Sequence, residues 1–422
     1  MSTPGPGPAA STARPALARL IGPLPVDDFA AQIWSRRAFT RATPAGPDLT
    51  GLFTLADADE LLSVRGLRTP FLRLAKDGVV QPAASFTGGG GVGAGIGDQV
   101  DPDRVTRLLD DGCTVVFQGL HRLWPAVIEF AATLTAELGH PLQVNGYLTP
   151  PAARGFAPHY DTHDVFVVQT AGTKHWTVHR PVVDSPAQAD GWTAHRDAVA
   201  AAAAGEPELD RQLGTGDVLY LPRGWIHSAR AADQMSLHLT VGVHPYTRRH
   251  LADAVIAELF GAHPLTDSLP VGLDVADPHA VQAALAPVRV VLAEALGEVR
   301  ADQVAARLER RRAADTRPAP VRPAAQAAAA AAIRAGGPGR VRPRTACAVR
   351  VEQRLDGVRL VLGGRHLDFD HGHAAAVKAL TDPAAAAGGL DPDSLPGLDC
   401  DAGRDLVARL LLEGALVPVP PT

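Results

Sequence analysis

The sequence predicts a mainly β core, a sandwich or barrel of short strands, placed after helical N-terminal elements and before a helical stretch and a small α+β unit. Three observations carry this. Between Leu142 and Val243 five short β-prone runs, LQVNGYL, HDVFVVQT, KHWTVHR, GDVLYLP and MSLHLTVGV, recur between turns. That spacing suits a sandwich or barrel and not a parallel sheet with helical crossovers. After Pro245 the apolar spacing becomes helical, through RRHLADAVIAELF and on to about residue 314,. Finally, 422 residues exceed what one core organises, so more than one unit is expected,.

Residues 1–18 are mostly Pro, Ala, Ser and Gly and read as a disordered leader,. The β domain with its flanking helices is expected over 19–245. Asp27 and Asp28 open a short helix carrying Phe29, Ile33 and Trp34, and Thr54 is the expected N-cap of a helix holding Leu61 and Leu62,. The glycine-dense segment from Thr87 to Val105 misses the spacing of phosphate and dinucleotide loops,. Its residues 88–97 read as a flexible surface loop, with a lid over the substrate as the alternative. Asp101 or Asp103 starts a helix through Leu108, CTVVF at 113–117 reads as a buried strand, and 121–139 as one amphipathic helix,. An Ala-rich, acidic insertion between Asp184 and Leu209 interrupts the strands.

A helical dimerisation region is expected over 246–316. Its stripe of Val288, Leu292 and Leu296 needs a partner, either the β domain or a second subunit, and a homodimer is the expectation,. Residues 317–345, rich in Pro, Gly and Ala, read as a linker with a helical piece. Residues 346–422 combine hairpin-like strands around Gly363 and Gly364 with helices, an α+β unit,.

The formal net charge of -5 argues against a surface that wraps nucleic acid,. Between 341 and 422 nine Arg or Lys stand against eleven Asp or Glu, so direct nucleic-acid binding is not expected of that unit either,. Cys113, Cys347 and Cys400 form no metal or disulfide framework, which fits a reducing, cytoplasmic setting,. No run approaches 18 consecutive apolar residues, so no membrane span is expected.

The chemistry concentrates in 145–181 and 216–243. His159 and Asp161 are two residues apart, so on a strand both point the same way,. His227 follows the LPRGWI turn, where an adjacent strand can bring it to the same ion. Two imidazoles and one carboxylate on one face form the facial triad of non-haem iron enzymes; the alternative is that all three are ordinary capping or loop residues. Lys174 favours the triad. It lies thirteen residues after Asp161, beyond a TAGT turn expected to close a hairpin, in an apolar run where an unpaired lysine is costly,. Lys174 and Trp176 share one strand parity, and His175 and His179 the other. A cation facing inward there can receive the distal carboxylate of an anionic co-substrate.

The segments NGYLTPPAARGFAPHYDTHDVFVVQTAGTKHWTVHRP and LYLPRGWIHSARAADQMSLHLTVGV resemble the JmjC-domain ribosomal oxygenases, a cupin-type branch of the iron(II) and 2-oxoglutarate dependent hydroxylases. The likeness is strong over about 140–245 and weaker over 20–140. Beyond 245, order and size alone resemble the family's dimerisation and winged-helix units. The resemblance implies a double-stranded β-helix, Fe(2+) held by His159, Asp161 and His227, and 2-oxoglutarate held by Lys174. It places Asn145, Tyr147 and Thr149 on a strand lining the same pocket, and Ser236 and His238 on another. Thr162 departs from the pattern, in which the residue after HYD is often acidic. The implied activity is hydroxylation of a histidine or arginine side chain of a protein or peptide, with a ribosomal protein as the expected partner. Hydroxylation of a free amino acid or small peptide natural product is one alternative, and a non-enzymatic cupin scaffold another.

Overall fold

A computed structural model describes residues 14–42, 48–153, 156–262, 265–382, 384 and 388–419, and the chain divides into two units, 1–245 and 246–422. The first begins with α1 (Pro15–Ile21), α2 (Val26–Gln32), β1 (Phe39–Arg41), α3 (Leu55–Ser63), β2 (Leu72–Lys76) and β3 (Val79–Val80). The leader expected over 1–18 therefore ends too late. Pro15 starts α1, and Ala16 and Leu17 are buried in the core, an apolar gain that orders this end; residues 1–13 lie outside the described residues. Thr54 caps α3 in a reciprocal capping box with Asp57,.

The glycine-dense segment is hydrogen-bonded at its base. β4 (Thr87–Gly88) pairs with β5 (Gln99–Val100), and the Gly90 amide donates to the Ile96 carbonyl in the exposed tip. α4 (Pro102–Asp110) is capped by Asp101, and β6 (Thr114–Phe117) is buried throughout. The single helix expected over 121–139 is two, α5 (Leu120–Leu123) and α6 (Pro125–Leu138). Pro125 lacks the N–H to continue a helix and holds Trp124 extended, so the chain restarts there.

The strands that follow are β7 (Leu142–Thr149), β8 (Asp164–Ala171) and β9 (Lys174–His179); after a 3-10 turn at Trp192–His195 and α7 (Arg196–Ala203) come β10 (Leu209–Leu213), β11 (Val218–Leu221), β12 (Ile226–Ala231) and β13 (Ser236–Val243). They form an antiparallel eight-stranded sheet in the order β1-β11-β8-β13-β7-β6-β2-β3 and a three-stranded sheet β10-β9-β12. Val165 and Val167 of β8 and Leu219 and Leu221 of β11 meet Trp176, Val178, Leu213 and Trp225 between the sheets. The opposite face of the large sheet, including Phe166, Val168, Tyr220 and Leu239, packs on Leu17, Leu20, Phe29, Phe53 and Phe130 from the N-terminal helices and loops. This is a double-stranded β-helix whose large sheet is covered on both sides. Each Leu or Phe fully buried this way contributes about 1.5–3 kcal/mol.

The TAGT turn closes no hairpin. β8 belongs to the large sheet and β9 to the small one, so the turn carries the chain across the barrel. Gly172 sits there at φ +65°, and a Cβ would lie 2.2 Å from the Met235 carbonyl oxygen,.

The second unit contains α8 (Arg248–Ala262), α9 (Pro278–Glu298) and α10 (Ala301–Asp315), with Arg307 of α10 paired to Glu258 of α8 at 2.7 Å. In α9 only Ala295 is buried, while Val281, Val290 and Leu296 are exposed. Arg289 and Glu294 interrupt the apolar run of α9, which by length and composition alone is long and apolar enough to cross a membrane. The expected linker 317–345 is corrected. Its α11 (Pro323–Arg334) and β14 (Val341–Pro343) bury Ala330, Ile333 and Val341 in the C-terminal core, and Gln326 donates to the carbonyls of Leu411 and Leu416. That core is completed by β15 (Val349–Arg354), β16 (Gly357–Leu362), β17 (Arg365–Phe369), α12 (Ala374–Thr381), α13 (Cys400–Leu412) and β18 (Leu416–Pro418), an α+β unit.

Candidate active site

His159 and Asp161 do not lie on a strand; they sit on an irregular segment joined to β12 by a bridge between His159 and His227, each backbone amide donating to the other's carbonyl at 3.2 and 2.8 Å. The bridge brings the two rings to 4.5 Å between centroids. One donor atom each from His159, Asp161 and His227 lies within 4.8 Å of the others. Ligands sharing one ion at about 2.1 Å stand about 3 Å apart, so modest side-chain rotation closes the set.

The tautomers are already arranged. His159 Nδ1 faces the Ala157 carbonyl at 2.8 Å and His227 Nδ1 the Trp225 carbonyl at 3.0 Å, which leaves both Nε2 lone pairs for a metal,. Burial, and then His159, push the His227 imidazolium down to about 4, so the ring is neutral near pH 7. Burial alone would push the Asp161 carboxyl up, but His163, His227, His159 and His244 outweigh it and hold the group below its ordinary range. His227 and Asp161 are thus in the protonation states that metal ligands need.

A buried knot supports it. Asp164, fully buried, accepts from Ser35 Oγ at 2.9 Å, Tyr220 Oη at 2.8 Å and the Arg223 amide at 2.9 Å. These bonds fix the Pro222–Trp225 turn that delivers His227, and Gly224 in it donates its amide to the Asp161 carbonyl.

Deeper in the barrel the register sets the remaining residues. Thr149 is opposite Ser236, Tyr147 opposite His238 and Asn145 opposite Thr240, with Gln169 beyond His238, all on the face turned to the small sheet. Lys174 is buried, and its Nζ donates to Thr149 Oγ1 at 3.0 Å. Burial pushes its ammonium down to about 7. His238 stacks on Tyr147 at 4.9 Å and meets Trp176 edge-on at 5.4 Å. Two members of the expected set already have partners: Asn145 Oδ1 accepts from the Gly119 amide, and Ser236 Oγ from Gln169 Nε2. His175 is exposed as its parity requires, whereas His179, at the strand's end, is buried with Nδ1 unpartnered among the described residues.

His238 Nδ1 and Trp176 Nε1 are likewise buried without partners among the described residues, and Lys174 meets a hydroxyl where a carboxylate would be expected. The unpartnered Trp176 Nε1–H and a desolvated cation beside Thr149 fit an anionic group that reaches from lysine toward a metal,. Sequence reasoning missed Arg73 of β2, Phe156 and Trp192. Arg73 lies across Val116 from Tyr147, in the same row of the sheet. Its signal was a lone cation between Leu72 and Leu74.

Fold and site together define a JmjC-type double-stranded β-helix with a two-histidine, one-carboxylate candidate metal site. The family model described as "JmjC domain" matches residues 126–251. Human ribosomal oxygenase 1 is 32% identical over 226 residues, 53% of this chain and 34% of that protein. The bifunctional lysine-specific demethylase and histidyl-hydroxylase NO66 of Aedes aegypti is 30% identical over 262 residues, 62% of this chain and 39% of that protein. The chain thus spans little more than a third of the length of these curated relatives. Among solved structures, Escherichia coli YcfD, a ribosomal oxygenase, superposes over 94% of this chain and 99% of its own with a TM-score of 0.52 in its complex with cobalt and 2-oxoglutarate, at 17% identity. Residues 126–251 thus carry a JmjC domain, and the chain is similar to ribosomal oxygenases over a little more than half of its length.

Proposed function

We propose that this protein is an Fe(II)- and 2-oxoglutarate-dependent oxygenase that hydroxylates a histidine or arginine side chain of a protein, a ribosomal protein being the expected substrate. One observation carries the reading: the donor atoms of His159, Asp161 and His227 converge at one end of a barrel that buries the carboxylate-seeking Lys174 deeper inside. The cobalt and 2-oxoglutarate complex of YcfD and the ribosomal oxygenase relatives support it. Bound here, iron with 2-oxoglutarate would supply oxygen activation, inserting one oxygen atom into a C–H bond with succinate and carbon dioxide as co-products.

The chain's own residues hold and shield. The Nε2 atoms of His159 and His227 and the Asp161 carboxylate would hold the ion,. Lys174 receives the distal carboxylate and fixes the length of the co-substrate, while Trp176, Val178 and Leu219 exclude water from the barrel,. To test this, iron-loaded protein is incubated with 2-oxoglutarate, oxygen and ribosomal proteins. A gain of one oxygen atom on one side chain, matched by succinate, is expected; absence of both across a full lysate overturns the reading.

The same proposal includes a homodimer formed through 246–316 and a cytoplasmic setting. The exposed Val281, Val290 and Leu296 of α9 support the first, and three free cysteines the second. Sedimentation should give a species of twice 44.0 kDa, and charged substitutions at Leu292 and Leu296 together should halve it without loss of iron.

A further inference from the structure

Arg73 is half-buried on the sheet face that carries Tyr147, in an unusual state. It lies on β2 opposite Val116, which in turn lies opposite Tyr147, so its side chain shares the pocket face while Leu72 and Leu74 enter the core behind. Its guanidinium carbon lies 5.5 Å from the centre of the Phe156 ring, and it hydrogen-bonds the Tyr147 hydroxyl. Arg73 Nε is nevertheless buried without a partner among the described residues. A purely structural arginine with a buried Nε would be expected to satisfy that donor on a carboxylate or carbonyl. Phe156 meets Tyr147 at 6.4 Å and His159 at 5.9 Å, and Trp192, carried in by the 184–209 insertion, lies 6.2 Å from the His159 ring. Both aromatic rings therefore stand beside His159 of the triad, and the cation stands beside one of them.

The geometry points to Arg73 as a specificity-determining residue that donates to an acceptor atom of the substrate side chain and so selects a neutral, acceptor-bearing group such as imidazole over a cationic guanidinium. This rests on the hydroxylase reading and deepens it. Lys174 and the metal are matched by the anionic co-substrate, but Arg73 is left with its charge facing the substrate. A flat imidazole suits the two aromatic rings and offers a lone pair to the free Nε. An arginine side chain offers only donors and a second positive charge, and both oppose Arg73.

The test uses the full chain loaded with Fe(II) and 2-oxoglutarate without oxygen, immobilised, and two peptide libraries with identical random flanks and either histidine or arginine fixed at the centre. The parent should retain the histidine library over the arginine library by about tenfold or more. Arg73→Gln should bring the ratio to within about threefold, while Arg73→Lys, which keeps the charge, should still exclude arginine. Thermal melting and iron content establish that each variant is folded. Equal retention of both libraries by the parent, no retention of either, or a ratio unmoved by Arg73→Gln overturns the inference. Admitting oxygen afterwards tests the hydroxylase reading separately, since retention without oxidation contradicts that reading and leaves the role of Arg73 standing.

Discussion

Replacing Lys174 by methionine should move co-substrate affinity and protein stability in opposite directions. The ammonium is buried in an apolar barrel, its hydroxyl partner Thr149 3.0 Å away, and burial pushes it down to about 7. A shift from the ordinary 10.5 to about 7 means that folding works against the charged form by an amount on the order of 4 kcal/mol at neutral pH,. Methionine fills a similar volume without charge. The variant should therefore unfold at higher denaturant or temperature than the parent when no co-substrate is present, by about 1–4 kcal/mol once the lost bond to Thr149 is deducted. Affinity for 2-oxoglutarate should fall because the distal carboxylate loses a charge-assisted contact worth about 2–5 kcal/mol. Part of that contact energy is spent in the parent on protonating the lysine, so a loss of at least about tenfold is expected at pH 7. Anaerobic titration of 2-oxoglutarate into the Fe(II)-loaded protein, followed by the metal-to-ligand charge-transfer absorption, measures the affinity, and chemical denaturation measures the stability. Fe(II) affinity should change little. A variant that binds 2-oxoglutarate as tightly as the parent, or is destabilised without it, refutes the assignment of the co-substrate site.

The same group predicts the pH dependence. Below pH 7 Lys174 is charged before binding and affinity for 2-oxoglutarate should be level, whereas above pH 7 binding takes up one proton and affinity should fall by up to about tenfold per unit, as isothermal titration in buffers of different ionisation enthalpy would report,. Because the folded lysine loses its proton at lower pH than the unfolded one, stability of the co-substrate-free protein should rise from pH 7 toward 10, and this rise should vanish in Lys174→Met. Asp161→Asn and His227→Ala should each abolish measurable Fe(II) retention on anaerobic gel filtration while leaving a cooperative melt, since each removes a ligand from a loop or strand end and not from the core. Asp164→Ala strands the Tyr220 hydroxyl and the Arg223 amide, so it should cost about 3–5 kcal/mol in denaturant melts and weaken Fe(II) as well by loosening the turn before His227,.

The fold was legible wherever a segment carries its own period or punctuation. β7, β9 and β13 are marked by short β-prone runs, and Thr54 and Asp101 announced their helices through capping chemistry. Sheet membership was not legible. β8 is buried along nearly its whole length because helices cover one face of the large sheet and the small sheet the other, and this erases the alternation that tells inside from outside,. A turn such as TAGT then looks like a hairpin whether its strands pair or part. Residues 317–345 misled for the opposite reason. Their composition is that of a linker, but small alanines let α11 lie close against α13, and one glutamine satisfies two carbonyls at the end of α13 and the start of β18.

In the site, what could be read was the identity of groups whose burial is chemically improbable, and what could not be read was their company. His159, Asp161 and His227 stood out by their ligand chemistry and spacing, and Lys174 because a lysine in an apolar strand is costly without a partner,. By that rule Arg73, between two core leucines on β2, deserved the same attention as Lys174; it escaped because no neighbouring residue in sequence hinted at a pocket, and its neighbours in space are 43, 74 and 83 positions away at Val116, Tyr147 and Phe156. The two cations divide the barrel between them. Lys174 is fully buried beside the Thr149 hydroxyl, whereas Arg73 is half-buried beside the Phe156 ring. A deep cation lets the co-substrate bind first and cover the inner pocket, and a half-buried cation then meets whatever enters next. Order of binding and choice of substrate would thus follow from the depth at which each charge is placed. Arg73→Gln should accordingly leave 2-oxoglutarate affinity near the parent value while Lys174→Met changes it, and equal losses of 2-oxoglutarate affinity in both variants would show that the two charges serve one subsite and not two.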